Sequence, residues 1–256
     1  MISVLQLGSI DYETGLCLQQ RLVELRKCGA IGDTLLLLEH SPVITLGRNA
    51  NAANIIVSRE ELYRRGVEVF ECDRGGDVTF HGPGQLVGYP ILDLRGMASA
   101  DGERKTLGAI EYVRRLEEVL IRTCADFEIP TKRIAGLTGV WIDEEAKIAA
   151  LGVHISRGVT SHGFALNVNV DLSCFNLIIP CGISSKPVTS MAQKLRQNVA
   201  MEEVAHSVSR NFGAVFQSQM LWLDSLDDLP GAAVGVPLQV PDELRKLRGE
   251  EDTNWA

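Results

Sequence analysis

Apolar positions along the chain recur with two periods, and each segment can be sorted by the one it follows. From Ile10 to Cys28, Leu16, Leu22 and Leu25 fall with Gln19 and Gln20 on an approximate helical stripe, and Gly29 stands where a helix stops. Two short apolar runs follow, Asp33 to Glu39 and Val43 to Leu46, separated at Ser41-Pro42; both predict strands. Arg59 to Gly66 predicts a short helix, and the alternation of Val67 to Cys72 predicts a strand. After a glycine-dense stretch, Leu86 to Leu94 predicts another strand. Leu107 to Phe127 carries the longest helical pattern, with Ile110, Val113, Leu116, Val119 and Leu120 on one side. Gly139 to Ile142 and Lys147 to Ser156 predict strands joined by a tight turn at Asp143 to Glu145. Gly163 to Val170 predicts a strand and Met201 to Phe216 a last helix. Hairpin-like pairs mixed with helices point to an α/β (α+β) fold with a mixed sheet and flanking helices, rather than a parallel nucleotide-binding order.

From Gln217 onward the character changes. Pro230, Pro237 and Pro241 interrupt it, with one short helical pattern at Asp242 to Arg248. Residues 220–256 hold eight acidic and three basic residues, most of the chain's net charge of −8. This predicts a catalytic domain over residues 1–218 and an acidic extension over 219–256 that lies on the surface or is partly disordered. The acidic balance argues against a dedicated nucleic-acid binder. The first residues, MISVLQLGSIDYETG, lack a basic n-region and a long apolar core. No apolar run approaches the roughly 18 residues of a membrane span, so a cytoplasmic location with no membrane partner is expected.

Four features could carry chemistry. The stretch Arg74-Gly75-Gly76-Asp77-Val78-Thr79-Phe80-His81-Gly82-Pro83-Gly84-Gln85 has four glycines that would let backbone approach a ligand. It is neither a dinucleotide fingerprint nor a phosphate loop, and the bland alternative is a pair of tight turns flanking a strand. Lys147 opens a strand of small and apolar residues; simple alternation puts it on one face with Ala149, Leu151 and Val153. Facing inward, it would be desolvated and suited to base chemistry; otherwise it extends to solvent. Cys181 sits between Pro180 and Gly182, in a turn where a thiol can act as a nucleophile if a cation is near; otherwise it is structural. Cys17, Cys28 and Cys124 fall on helical patterns and read as buried structural cysteines, and Cys174 as part of a packed turn. His81 and His162, each beside a glycine, either meet an acyl oxygen or a proton in transit, or support their loops. No cysteine or histidine spacing suggests a metal.

Three ordered segments, RGGDVTFHGPGQLVGYPILDL, GVWIDEEAKIAALGVHISRGVTSHGFALNVNVDL and FNLIIPCGI, together resemble the lipoyl(octanoyl) transferases of the wider biotin/lipoate ligase superfamily. The resemblance runs from about residue 3 to about residue 218 and implies a single biotin/lipoate-ligase-like domain. It implies transfer of an octanoyl group from a thioester on acyl carrier protein, through a cysteine thioester, to a lysine amine of lipoyl domains. Those domains belong to the 2-oxoacid dehydrogenase complexes and the glycine cleavage H protein. The family's nucleophile matches Cys181 and its lysine matches Lys147. Its acyl-binding segments match Arg74, Gly75, Gly76, Asp77, Val78, Thr79, Phe80 and His81; Ala150, Leu151 and Gly152; and Gly163, Phe164 and Ala165. No cofactor is implied. An ATP-dependent lipoate or biotin ligase, a thioesterase and a non-catalytic acyl-carrier binder remain alternatives. Because both expected protein partners are acidic as families, docking would need a local basic patch, with Arg64/Arg65, Arg114/Arg115 and Lys132/Arg133 as candidates.

Overall fold

Strand β2 (Asp33–His40) explains the architecture. Leu35 and Leu37 pack into one buried cluster, while Leu36 and Leu38 pack into another. A strand covered on both faces reads as an unbroken apolar run, which is what DTLLLLEH shows. The computed structural model describes residues 1–99, 106–142, 146–179, 186–229 and 231. In it β2 lies within an eight-stranded sheet of order β11-β1-β2-β6-β10-β9-β8-β7. The other members are β1 (Ile2–Ile10), β6 (Gln85–Ile91), β7 (Lys132–Ile134), β8 (Leu137–Ile142), β9 (Ala146–Ser156), β10 (Val159–Asn167) and β11 (Met220–Leu223). Pairing is parallel where β1 meets β2 and β11, and antiparallel from β2 through β7.

Helix α1 (Tyr12–Lys27) covers one face. Asp11 caps it, accepting from the Thr14 N–H at 2.7 Å, and Gly29 ends it with φ +73°. Helices α3 (Ala109–Asp126) and α5 (Met201–Phe216) cover the other, around Leu116, Leu120, Val208 and Phe212. A second sheet, order β4-β3-β5, joins β3 (Val43–Leu46), β4 (Glu68–Glu71) and β5 (Val78–His81), with the short helix α2 (Arg59–Arg64) nearby. A short helix α4 (Met191–Leu195) precedes α5.

The helices expected near residues 10–28, 59–66, 107–127 and 201–216 all form. Strands β1, β5, β7 and β11 and helix α4 add to the expected set. The sheet continues past residue 218: β11 pairs with β1, and Leu226 and Leu229 are buried in the cluster beneath α1. Residues 232–256, with the expected helical pattern at 242–248, lie outside the described residues, as do Asp143 to Glu145.

Candidate active site

Between the two sheets lies a cleft. Its walls are Ala150, Leu151 and Gly152 of β9, Gly163, Phe164 and Ala165 of β10, and Val87 and Tyr89 of β6. The loop Arg74 to Asp77, with Thr79, His81, Tyr12 and His162, completes it. Most of the acyl-binding residues expected from sequence are therefore brought together. Two are not: Val78 and Phe80 sit on the opposite face of β5, buried in a cluster where Phe80 packs edge-on to Phe175. Strand alternation separates them from Thr79 and His81.

The glycine loop is held by a buried guanidinium. Arg74 Nη2 donates to Thr45 O at 2.7 Å and Asp77 O at 2.8 Å, and Nε donates to Thr45 Oγ1 at 3.1 Å. Gly75 N–H donates to Val153 O at 3.0 Å, stitching the loop to β9. The approach is so close that a methyl on Gly152 would stand 2.6 Å from Gly75 O. The Asp77 carboxylate accepts from Asn54 Nδ2 at 2.6 Å and from Val78 N–H at 2.8 Å.

One end of the cleft is lined by aromatic rings. His40 Nδ1 donates to Ile10 O at 3.1 Å, so its Nε2 accepts from the Tyr89 hydroxyl at 2.7 Å. Burial pushes His40 down to about 4. His81 stacks on Tyr12 and donates from Nδ1 to Gln85 Oε1 at 2.7 Å; burial and the charge of His40 push it down to about 3. Burial also raises the Tyr12 and Tyr89 phenols. The His81 ring is therefore neutral at neutral pH, and the bond to Gln85 ties it to the loop. His162 has a left-handed backbone (φ +54°), held by its N–H donating to Gln19 Oε1 at 2.7 Å. Its Nε2 meets Asp73 Oδ1 at 2.7 Å. Burial lowers the His162 pKa, and the Asp73 contact offsets only part of this.

An adjoining recess holds Lys147. Val140 pairs with Ala149 but Trp141 pairs with Lys147, leaving Ile148 as an extra residue on β9. Ile148 and Ala149 consequently both pack toward α3, in the same cluster as Leu151 and Val153. This corrects the simple alternation. Lys147 emerges on the face of Ala150, in a recess with Thr79, Gln85, Asn167, Phe175 and Val188 that shares Thr79 and Ala150 with the main cleft. It is buried, and its ammonium stands 4.8 Å from the centre of the Trp141 ring, within cation–π range. Its N–H donates to Pro187 O and its carbonyl accepts from Thr189 N–H, both at 2.9 Å. Gln85 Nε2 donates to Asn167 Oδ1 at 2.9 Å, and Asn167 Nδ2 donates to Thr189 O at 2.9 Å. The polar residues behind His81 and those beside Lys147 thus form one chain.

Cys181 lies outside the described residues. Ile179 and Lys186, the described residues on either side of 180–185, border one recess with Phe175 and Gln193. Of the other cysteines, Cys17 and Cys28 are exposed, correcting their reading as buried. The helical stripe runs on the other side of α1, through Leu18, Leu22 and Leu25. Cys124 is buried, which pushes its thiol up to about 12. Among the described residues no group of three or more His, Cys, Asp or Glu could hold a metal ion. No described helix is long and apolar enough to cross a membrane.

The candidate basic patches carry little free charge. Arg64 and Arg65 pair with Glu61, Arg114 and Arg133 with buried Glu117, and Arg115 with Glu111. Sequence reasoning missed Tyr12, Val87 and Tyr89. Tyr12 and Tyr89 sit in ordinary helix and strand patterns.

The profile of the lipoyl protein ligase A/B catalytic domain matches residues 11–213. The chain is 60% identical over 253 residues to an octanoyltransferase of Koribacter versatilis, covering 98% of each. It is 60% identical to one of Acidobacterium capsulatum, covering 90% of this chain and 96% of that one. A crystal structure of lipoate-protein ligase A bound with ATP superposes with a TM-score of 0.68 at 14% identity, covering 87% of both chains. At that identity the likeness speaks to fold alone. The chain therefore belongs to the lipoyl protein ligase A/B catalytic-domain family, and its kinship to the octanoyltransferases makes it an acyltransferase.

Proposed function

We propose that the chain takes an octanoyl group from a thioester on acyl carrier protein and delivers it to a lysine amine of a lipoyl domain, by way of a thioester on Cys181. The observation that carries this reading is the buried Lys147, set in a recess that shares Thr79 and Ala150 with the apolar cleft and tied by two backbone hydrogen bonds to Pro187 and Thr189. In sequence, Pro187 is six residues beyond Cys181.

The roles follow from the chemistry. An ammonium beside Cys181 favours its thiolate, the nucleophilic form. The thiolate attacks the carrier thioester carbon; the new C–S bond forms, the old one breaks, and the departing carrier thiolate takes a proton from Lys147. Lys147, now an amine, accepts a proton when the lipoyl lysine attacks the Cys181 thioester, and the Cys181 thiolate leaves. The resting pair is restored and no ATP is consumed. The octanoyl chain lies along Leu151, Phe164 and Ala165 toward Tyr89, each buried CH₂ contributing about 0.8 kcal/mol. The reaction takes place in the cytoplasm.

The test mixes enzyme, octanoyl-acyl carrier protein and apo lipoyl domain without ATP, and reads the lipoyl domain by mass. The proposal expects the octanoyl increment on the lipoyl domain. Modification only with ATP and free octanoic acid would make the chain a ligase instead. Release of octanoate to water with no modified domain would make it a thioesterase.

A further inference from the structure

At its aromatic end the cleft is closed by a single imidazole ring. His162 lines the cleft and also lines a second recess on its other side, with Leu16, Gln19 and Val23 of α1 and Ser161 of β10. Among the described residues it alone borders both. Simple alternation would send its side chain with Phe164 and Leu166 into the cluster beneath α3. Its left-handed backbone, φ +54°, instead brings the ring edge-on to Tyr89, with centroids 6.3 Å apart, beside α1. Two bonds fix it there. Its N–H donates to Gln19 Oε1 and its Nε2 meets Asp73 Oδ1, both at 2.7 Å. The other Asp73 oxygen stands 3.6 Å from His154 Nε2 on the neighbouring strand. We propose that His162 is a specificity-determining residue: its ring is the stop against which the end of the octanoyl chain rests, and Asp73 is the positioning residue that holds the stop in place. This deepens the reading given above, in which the cleft holds the acyl chain, and rests on it.

The strands supply the ruler. Ala150, which the cleft shares with the Lys147 recess, pairs with Ala165, and His162 lies three positions along β10 from Ala165. At the usual strand rise that is about 10 Å, the reach of an extended octanoyl chain whose carbonyl sits at the recess. Between these points the paired Gly152 and Gly163 carry no side chain to shorten the path. A longer chain extends only by displacing the His162 ring and breaking its bond to Asp73. A shorter chain leaves the aromatic end unfilled and forfeits the burial of its missing methylenes. Beyond the ring, the second recess mixes Leu16 and Val23 with Gln20, Glu24 and Lys27. It gives further methylenes space but little apolar surface. Opening the wall therefore removes a penalty on long chains rather than creating a preference for them.

The experiment uses the full chain with His162→Gly, His162→Asn and Asp73→Ala. Hexanoyl, octanoyl, decanoyl and dodecanoyl thioesters of acyl carrier protein are the donors, and kcat/KM for each is read from the mass of the apo lipoyl domain. Glycine adopts φ +54° freely and keeps the N–H that donates to Gln19; asparagine also tolerates that backbone, so a folded variant is at hand even if one of the two unfolds. Wild type should use dodecanoyl roughly tenfold or more less well than octanoyl. His162→Gly should recover most of that ratio, with His162→Asn and Asp73→Ala partway, while the hexanoyl-to-octanoyl ratio stays at its wild-type value. A merely structural role for His162 would lower all four donors together and leave both ratios unmoved. That result, or a wild type indifferent to length beyond octanoyl, would overturn the inference. Failure of the wild-type protein to use any of the four donors would instead remove the reading on which it rests.

Discussion

The aromatic end of the cleft and the recess that adjoins the cleft are both buried, yet they handle charge in opposite ways. At the aromatic end, His40, His81, Tyr12 and Tyr89 are all held in their neutral forms by burial. The hydrogen bonds there, His40 to Ile10 O and His81 to Gln85, use up the donor nitrogens of neutral rings. In the adjoining recess, the buried Lys147 ammonium stands instead 4.8 Å from the centre of the Trp141 ring. Burial alone therefore does not set the character of a group; the partner does. A neutral end suits the tail of an acyl chain, and a cationic recess suits the carbonyl, where negative charge develops during acyl transfer.

The cationic recess gives the largest effect when broken. Lys147→Met should lower single-turnover octanoyl transfer by 10²- to 10⁴-fold, roughly the worth of a positioned acid–base group, with the melting temperature nearly unchanged. Stopped-time mass spectrometry of the lipoyl domain measures it. A loss below tenfold would leave the two regions chemically alike. Arg74→Met removes the donors that hold the glycine loop against Thr45 and Asp77, leaving their oxygens buried. Urea unfolding should show a loss of about 2–4 kcal/mol.

The neutral end should appear in the pH dependence of stability. His40 and His81 sit below their unfolded value near 6.5, so the unfolded chain binds more protons than the folded one as pH falls. Their stabilising contribution is full above about pH 6.5 and is lost progressively toward pH 4 and 3. Urea unfolding at pH 5 should show a loss of roughly 2 kcal/mol per histidine relative to pH 7, and His40→Gln should flatten that slope. The smallest effect is steric. Gly152→Ala places a methyl 2.6 Å from Gly75 O and must push the loop out of the cleft. About a tenfold fall in kcat/KM for the octanoyl donor is expected, with a smaller fall for a shorter acyl chain.

Much of this was legible in the amino-acid order, for identifiable reasons. The helices carry capping and period signals that act locally: Asp11 and Gly29 bracket α1, and Leu116, Val119 and Leu120 of the α3 stripe face the core, although Ile110, at its first turn, is exposed. The glycine loop and β9–β10 segments were legible as motifs, and most of their residues line the cleft. What escaped depends on distant pairing. Strand β1 is buried between β11 and β2 at Ile2 to Leu5, so no alternation marks it, and β11 gains its identity only by pairing with β1. The face of Lys147 could not be read by counting, because a bulge at Ile148 resets the alternation. Val78 and Phe80 belong to a motif but not to the cleft, since a motif is contiguous and a strand face is not.

The most direct test of the account is to find where the acyl group rests. Full-length protein would be mixed with octanoyl-acyl carrier protein in the absence of a lipoyl domain, quenched in acid, digested and mapped by tandem mass spectrometry. The account predicts one octanoyl thioester, on Cys181, that disappears when apo lipoyl domain is added before the quench. An octanoyl group on another residue, or a lipoyl domain fully modified by a Cys181→Ala variant, would contradict it.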